Sequence, residues 1–139
     1  MQAYLKQING ISLVAKGDSG HWVAMDGPAE FAGSNAGSRP MELILMGLGG
    51  CTAMDVISIL QKKRVKLDDF ECYLSAERAD EHPKVFTKIH IKFVFYGKDI
   101  PTQAVERAIE LSQQVYCSAS EMLKKTAEIT TEYEIKENK

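Results

Sequence analysis

Three cysteines, Cys51, Cys72 and Cys117, are the residues of this 139-residue chain with the most chemistry to offer. A cysteine in its thiolate form is a strong nucleophile and can be oxidised to a sulfenic acid or a disulfide. No two of them have the C-x-x-C spacing of a zinc knuckle, so we expect no metal at these residues. The question is therefore whether any of the three sulfurs reacts.

Cys51 lies within residues 49–53, Gly-Gly-Cys-Thr-Ala, in the middle of a predicted helix. The two glycines before it, and Gly47 one turn earlier, remove side-chain bulk and could open a path for a substrate to the sulfur. The alternative is a small buried hydrophobic residue, as most free cysteines are. Asp55, four residues later, shares the face of Cys51. A carboxylate there disfavours a thiolate unless a cation offsets it.

Cys117 directly precedes Ser118, which begins an S-x-x-E sequence with the spacing of a capping box. If Ser118 is the N-cap, Cys117 lies just before a helix N-terminus, where the N–H groups and the dipole favour a thiolate. The alternative is an incidental cysteine in a tight connection between two helices. Cys72 lies between Phe70 and Leu74 on the inner face of a predicted strand, so we predict that it belongs to the core.

Two charged residues, Arg39 and Glu42, lie at the start of the helix that carries Cys51. Glu42 in a first turn normally complements the helix dipole. Arg39 is either a solvated loop cation or a group that holds a carboxylate and stabilises a thiolate or a developing oxyanion. Nine steps of about 100° place Glu42 and Cys51 on opposite sides of a straight helix. If both serve one site, either the helix breaks at its glycines or one of them comes from a second subunit.

Charge and hydropathy exclude several classes of protein. With 17 Lys and Arg against 19 Asp and Glu, the net charge is -2, so we expect no nucleic-acid partner. The longest uncharged stretch, Leu43–Met54, has twelve residues and is too short to span a bilayer, so we expect no membrane partner. The N-terminus lacks a signal-peptide pattern, which predicts a cytoplasmic protein. Nucleotide-binding fingerprints are absent, so the sequence gives no support to a nucleotide-dependent activity.

The order of the predicted elements indicates an α+β fold in one domain over residues 1–139. The helix that begins at Pro40 is apolar on nearly every side, so we expect it to be central and buried, with its glycines packed closely against another element. The predicted elements are a hairpin around Asn9-Gly10, a strand at 22–25, a helix at 40–63, strands at 69–78 and 85–95, helices at 102–115 and 118–125, and a strand near 129–135.

The run from Pro40 to Val56 resembles the central-helix motif of the OsmC/Ohr superfamily, and its Gly-Gly-Cys-Thr-Ala and Asp-Val pairs are similar to the YhfA-like branch. Residues 81–89, Glu-His-Pro-Lys-Val-Phe-Thr-Lys-Ile, resemble the β-hairpin of that branch, and Cys117 matches the second family cysteine. The resemblance covers essentially the whole chain. It implies an OsmC-like fold, with antiparallel sheets wrapped around long central helices in an intertwined homodimer that has two sites at its interface.

The resemblance also implies thiol-based reduction of organic hydroperoxides in oxidative-stress defence. Carried over to this chain, Cys51 is the peroxidatic cysteine and becomes a sulfenic acid, and Cys117 resolves it as an intramolecular disulfide. An external dithiol then restores both thiols, so neither a metal nor an organic cofactor is needed. Glu42 stands at the offset expected of the family glutamate. Arg39 is the candidate for the family arginine, which elsewhere comes from the N-terminal strands.

Two other functions stay open. No arginine precedes Arg39, and Ser118 follows Cys117 where the family commonly has proline. These departures favour, as the alternative, a non-catalytic OsmC-fold protein that holds a small apolar ligand at the dimer interface. A third hypothesis is a redox-sensing scaffold that changes partners on oxidation.

Overall fold

The computed structural model describes residues 1–137, and the last two residues of the predicted domain lie outside them. The chain forms two compact units, residues 1–44 and the part from Leu45 onward. The element order is the predicted one: three strands, a long helix, two strands, two helices and a last strand. Each unit contains a three-stranded sheet, which confirms the α+β class. The single domain over residues 1–139 stays a prediction.

The first unit is built on an antiparallel sheet. Its strands, in their order within the sheet, are β1 (Ala3–Asn9), β2 (Ser12–Gly17) and β3 (Trp22–Met25). Asn9 pairs with Ser12, which confirms the predicted hairpin and leaves a two-residue loop of Gly10 and Ile11. Gly10 has a φ of 54°, in the left-handed region that glycine enters at little cost, so this residue type fits the turn.

Asp26 holds the loop that follows β3. Its buried carboxylate accepts hydrogen bonds from the hydroxyl of Ser12 at 2.9 Å and from the backbone N–H groups of Gly27, Ser34 and Ala36. These donors, the N–H of Ala36 foremost, hold the pKa of Asp26 below its usual range although burial opposes them. A charged carboxylate therefore organises this loop, a role that no sequence motif indicated.

Helix α1 (Pro40–Lys62) buries one stripe rather than its whole circumference. Its fully buried large side chains are spaced four residues apart and so share one face: Leu48, Thr52, Val56 and Leu60. On the opposite face, the side chain of Met54 is 74% exposed. The prediction that α1 is buried on nearly every side is therefore wrong for a single chain, since this chain supplies packing partners for only one face.

By length and composition alone, α1 is able to cross a membrane. The uncharged stretch Leu43–Met54 understates the apolar length of this helix, because one charged side chain, Asp55, does not outweigh the apolar residues on both sides of it. The expectation of no membrane partner stays a prediction. Only 28% of the most apolar 18-residue window of α1 is buried.

Close packing is confirmed for one of the three glycines in α1. A Cβ on Gly49 would lie 2.7 Å from Cδ1 of Leu74, so a neighbouring strand occupies that space. Among the described residues, and apart from the chain neighbours and the nearby backbone of the helix itself, no atom lies within 4 Å of where a Cβ of Gly47 or Gly50 would stand. Spacings of three and four put these two glycines on the face of Met54. Because each glycine costs about 1 kcal/mol in a helix relative to alanine, packing within one chain does not explain them.

The second unit contains a mixed sheet. Its strands, in sheet order, are β4 (Asp69–Arg78), β5 (Phe86–Tyr96) and β6 (Glu128–Lys136). The central strand β5 supplies the deepest core residues, among them Phe93 and Phe95. β4 and β5 are antiparallel, but β5 and β6 are parallel. The prediction of antiparallel sheets is therefore wrong for this sheet, because the intervening helices form a crossover that returns the chain in the same direction.

The crossover consists of α2 (Thr102–Leu111), a π-helical turn (Ser112–Tyr116) and α3 (Ser118–Leu123). The predicted helix over 102–115 therefore changes its hydrogen-bond pattern after Leu111. π-Turns are rare in proteins, and those that occur are often found at functional sites. This one ends at Cys117.

Candidate active site

Cys51 and Cys117, far apart in sequence, meet in the second unit. Their Sγ atoms and one carboxylate oxygen of Asp55 all lie within 4.8 Å of one another. α1 contributes Cys51 and Asp55 from one face, and the junction between the π-turn and α3 contributes Cys117. Both cysteines are free thiols; Cys51 is half-buried, whereas Cys117 is only 4% exposed. Two neighbouring thiols of this kind can be oxidised together to a disulfide, and Cys51 is the more exposed of the two.

The π-turn positions Cys117. The N–H of Cys117 donates to the carbonyl of Ser112, five residues earlier, at 2.8 Å. A π-turn contains one more residue than an α-turn, so the residue that follows it points in a different direction from the one a regular helix would give it. Ser112 itself is fully buried.

Cys117, not Ser118, is the N-cap of α3. Its sulfur accepts a hydrogen bond from the N–H of Ser120 at 3.4 Å, and Ser118 is the first helical residue. The N-terminus of α3 acts in the predicted direction but does not prevail. Burial, the largest single influence, raises the pKa of Cys117; the hydrogen bonds to Ser120 lower it; and the hydrogen bond to Cys51 and the charge of Cys51 raise it, so that the net direction is upward. Cys117 therefore keeps its proton at neutral pH.

A buried polar network surrounds the two cysteines. The hydroxyls of Thr52 and Ser112 are hydrogen-bonded at 2.9 Å, and Ser112 also donates to Oδ2 of Asp55 at 3.2 Å. Gln113 Nε2 donates to Thr52 at 2.6 Å and accepts at Oε1 from the hydroxyl of Ser120 at 3.1 Å. Satisfied networks of this kind rigidify a site. The only sequence signal for it is a threonine, Thr52, on α1 and a serine, Ser112, on the inner face of the predicted helix over 102–115.

Arg39 and Glu42 are brought together in the first unit. The backbone N–H of Arg39 donates to Oε2 of Glu42 at 2.8 Å, which is one half of a capping box at the start of α1. The guanidinium of Arg39 donates instead to the carbonyl of Gly37 at 3.0 Å and to Oδ1 of Asn35 at 2.7 Å. Glu42 thus has a capping role, and the side chain of Arg39 is held by its own loop.

Two shallow grooves of about 320 Å³ each lie beside the site. Tyr116, which is 57% exposed, lines both of them; Cys117 lines one and Asp55 the other, and Cys51 lines neither. A larger groove of about 390 Å³ lies around His90 on the second sheet, and its lining contains no cysteine. Of the two sulfurs, the one that lines a groove is therefore that of Cys117.

Cys72 lies in β4, paired with Phe93 of β5, but it is only half-buried. The prediction that Cys72 belongs to the core is therefore not met, although the residue is partly shielded from solvent. Burial raises the pKa of Cys72 to about 11. It stays protonated at neutral pH and serves as a control thiol.

We expect iodoacetamide to alkylate Cys72 slowly in the native protein. Only the thiolate reacts. With a pKa of about 11, roughly one molecule in 1,000 carries the thiolate at pH 8, and this fraction rises about tenfold per pH unit. Mass spectrometry of the Cys72 peptide after timed labelling at pH 7, 8 and 9 gives the rates, with urea-unfolded protein as the fast control. A native rate that levels off below pH 9 would contradict the assignment.

Comparison with known proteins places these features in context. Residues 33–132 match the sequence profile of the family described as OsmC-like protein. The chain is 44% identical over 135 residues to protein YhfA of Escherichia coli K12, which covers 97% of this chain and 98% of that one. A hypothetical protein from Aquifex aeolicus VF5 superposes with a TM-score of 0.81 at 32% identity over 96% of each chain. OhrB of Bacillus subtilis, an organic hydroperoxide resistance protein, shares the fold with a TM-score of 0.62 at 18% identity, covering 96% of this chain and 98% of its own.

Proposed function

The chain belongs to the OsmC-like protein family, as the resemblance in its sequence predicted, and on that basis we propose that it is a cysteine-based, thiol-dependent hydroperoxide reductase. The observation that carries the proposal is the approach of Cys51 to Cys117, whose sulfurs lie within 4.8 Å. A disulfide bond is about 2.05 Å long, so the two sulfurs need to close by less than about 3 Å.

In the proposed reaction, the thiolate of Cys51 attacks one oxygen of a hydroperoxide, ROOH. A sulfur–oxygen bond forms, the O–O bond breaks, and the alcohol ROH leaves with a proton, so that Cys51 becomes a sulfenic acid. The sulfur of Cys117 then attacks the sulfur of Cys51; the disulfide forms, and the hydroxide leaves as water with the proton of Cys117. Two electrons pass from the two thiols to the peroxide, and an external dithiol returns two electrons and two protons.

The different environments of the two sulfurs support their different roles. Cys51 is half-buried, so part of the residue is open to solvent. Cys117 is buried, and burial together with its hydrogen bond to Cys51 raises its pKa. A thiol that keeps its proton is unsuited to the first attack, yet it can supply that proton to the hydroxide that leaves in the second step.

The transition state of the first step needs a positive group near the leaving oxygen. We assign this role to Arg39, positioned with Glu42. α1 runs without a break through its glycines. Of the two arrangements that the sequence left open, we therefore take the one in which a second subunit supplies Arg39 and Glu42 to this pair of cysteines.

The exposed apolar surface supports a homodimer. Gly47, Gly50 and Met54 share a bare face of α1, and glycines without Cβ atoms let a second helix approach closely. The sheet of the first unit also exposes large apolar side chains, among them Leu5 and Trp22. A second copy of this chain is the occupant that we propose for these surfaces, in a protein that acts in the cytoplasm.

A thiol count after oxidation tests the proposal. The reduced protein is treated with one equivalent of cumene hydroperoxide, and free thiols are then titrated under denaturing conditions. We expect the count to fall from three to one, with mass spectrometry showing a Cys51–Cys117 disulfide and a free Cys72. In the matched control Cys72→Ser the count falls from two to zero. Retention of all thiols, as expected of a non-catalytic ligand-binding protein, or a disulfide to Cys72, would reject the proposal.

A further inference from the structure

We infer that the reduced Cys51–Cys117 pair, together with Asp55, forms a binding site for a thiophilic divalent cation such as Zn²⁺. The donor set is two sulfurs and one carboxylate oxygen, all within 4.8 Å of one another. Zn²⁺ favours sulfur and carboxylate oxygen, and its non-structural sites commonly have three protein ligands and one open position. A search for C-x-x-C spacing does not find this group, because Cys117 is distant in sequence and only the fold brings it to Cys51 and Asp55.

The spacing of the donors suits such an ion. With Zn–S bonds of about 2.3 Å and Zn–O bonds of about 2.1 Å, tetrahedral coordination sets S···S near 3.8 Å and S···O near 3.6 Å. The three atoms therefore need to approach one another by about 1 Å at most. Cys51 and Asp55 stand four residues apart on one helix face, a spacing from which two side chains can reach one ion.

The groups around these donors already form an outer shell. Ser112, itself fully buried, donates to Oδ2 of Asp55 at 3.2 Å and is held at 2.9 Å by Thr52. The N–H of Ser120 donates to the sulfur of Cys117 at 3.4 Å. Partners of this kind orient metal ligands and are worth 10- to 100-fold in affinity in known sites, as an order of magnitude.

Charge favours the same conclusion. Among residues 1–137 no lysine or arginine forms an ion pair with Asp55. The carboxylate of Asp55 therefore has no cationic side chain bound to it that would compete with a metal ion. A divalent cation would turn it into a ligand and would compensate the charge of both thiolates.

Metal binding and disulfide formation compete for the same two sulfurs. When a hydroperoxide oxidises the occupied site, two thiolates, ROOH and two protons yield the disulfide, ROH and water, and the cation leaves. Cation occupancy would therefore protect the thiols and slow peroxide turnover. The binding itself does not depend on the proposed reductase activity.

Zn²⁺ titration of the reduced full-length protein, in competition with a chromogenic chelator and without added thiol, tests the site. We expect one Zn²⁺ per chain and no displacement by Mg²⁺. Cys51→Ser and Cys117→Ser should each weaken binding by at least about 100-fold, and Asp55→Asn by about 10- to 100-fold. Cys72→Ser, which removes a thiol elsewhere, is the matched control and should bind as the wild type does. Co²⁺ bound to the wild type should show thiolate-to-metal charge-transfer absorption.

The inference is overturned if Cys51→Ser binds Zn²⁺ as tightly as the wild type, if binding is lost only in Cys72→Ser, or if bound Co²⁺ lacks the thiolate band. The Co²⁺ spectrum of the wild type decides the matter even where a variant fails to fold. Stoichiometric Zn²⁺ binding by a protein that keeps all three thiols in peroxide would support the site and reject the reductase. Disulfide formation without Zn²⁺ binding would do the reverse.

Discussion

Replacement of Cys51 by serine is expected to abolish dithiol-dependent hydroperoxide consumption, with a loss of at least about 1,000-fold. A serine hydroxyl is neither ionised near neutral pH nor able to form a sulfenic acid, so the first attack on the O–O bond has no nucleophile. The measurement is the rate of loss of cumene hydroperoxide with dithiothreitol in excess. Cys72→Ser is the matched control, because Cys72 is held protonated in β4 with a pKa of about 11; its rate should equal that of the wild type.

A parallel variant, Cys117→Ser, separates the two steps. Without the resolving sulfur, Cys51 should consume one equivalent of peroxide per chain rapidly and then accumulate as a sulfenic acid that dimedone traps. If dimedone instead labels Cys117 in the Cys51→Ser protein, the roles of the two sulfurs are reversed. Equal turnover of Cys51→Ser and wild type would reject both assignments.

The local parts of the fold were predictable because they depend on nearest neighbours in sequence. The alternation of polar and apolar residues fixes β4 at 69–78, and the Asn-Gly turn fixes the first hairpin, as the structure confirms. The parallel pairing of β6 was not predictable, since its alternation is compatible with either direction. The direction is set by the crossover through α2 and α3.

The candidate site shows the same division. Cys51 and Asp55 can be placed on one face from their spacing, because a helix repeats regularly. The π-turn that positions Cys117 cannot be predicted in this way, since the sequence from Ser112 to Tyr116 is equally compatible with a regular helix. The π-turn has one more residue than a regular helical turn. Its first residue, Ser112, makes a buried tertiary contact with Thr52, and contacts of this kind cannot be read from the local sequence. The predicted N-cap of α3, Ser118, is one residue away from the observed one, Cys117. The direction in which the pKa of Cys117 shifts was not predictable, because the burial that raises it is a property of the assembled fold.

A lysine at Met54 is expected to split the proposed dimer. Met54 is 74% exposed and shares a face of α1 with Gly47 and Gly50. On the surface of a monomer, such a substitution changes stability by less than about 0.5 kcal/mol. In a two-fold interface each copy would bury an unpaired ammonium group, at a cost of several kcal/mol per ion, enough to raise the dissociation constant by about 1,000-fold or more. Sedimentation velocity at micromolar concentration gives the oligomeric state, and Val85→Lys, directly before β5, is the control.

The same variant decides whether a second copy completes the site. Cys51 and Cys117 belong to one unit of one chain, so stoichiometric oxidation to the disulfide should persist, more slowly, in a monomeric Met54→Lys protein. Catalytic turnover should fall sharply, because the guanidinium of Arg39 from a second subunit would no longer face the leaving oxygen. Full turnover by a monomer would remove the partner's arginine from the mechanism. A Met54→Lys protein that sediments as the wild type does would show that this face of α1 is not the interface, and the bare glycines would then require another explanation.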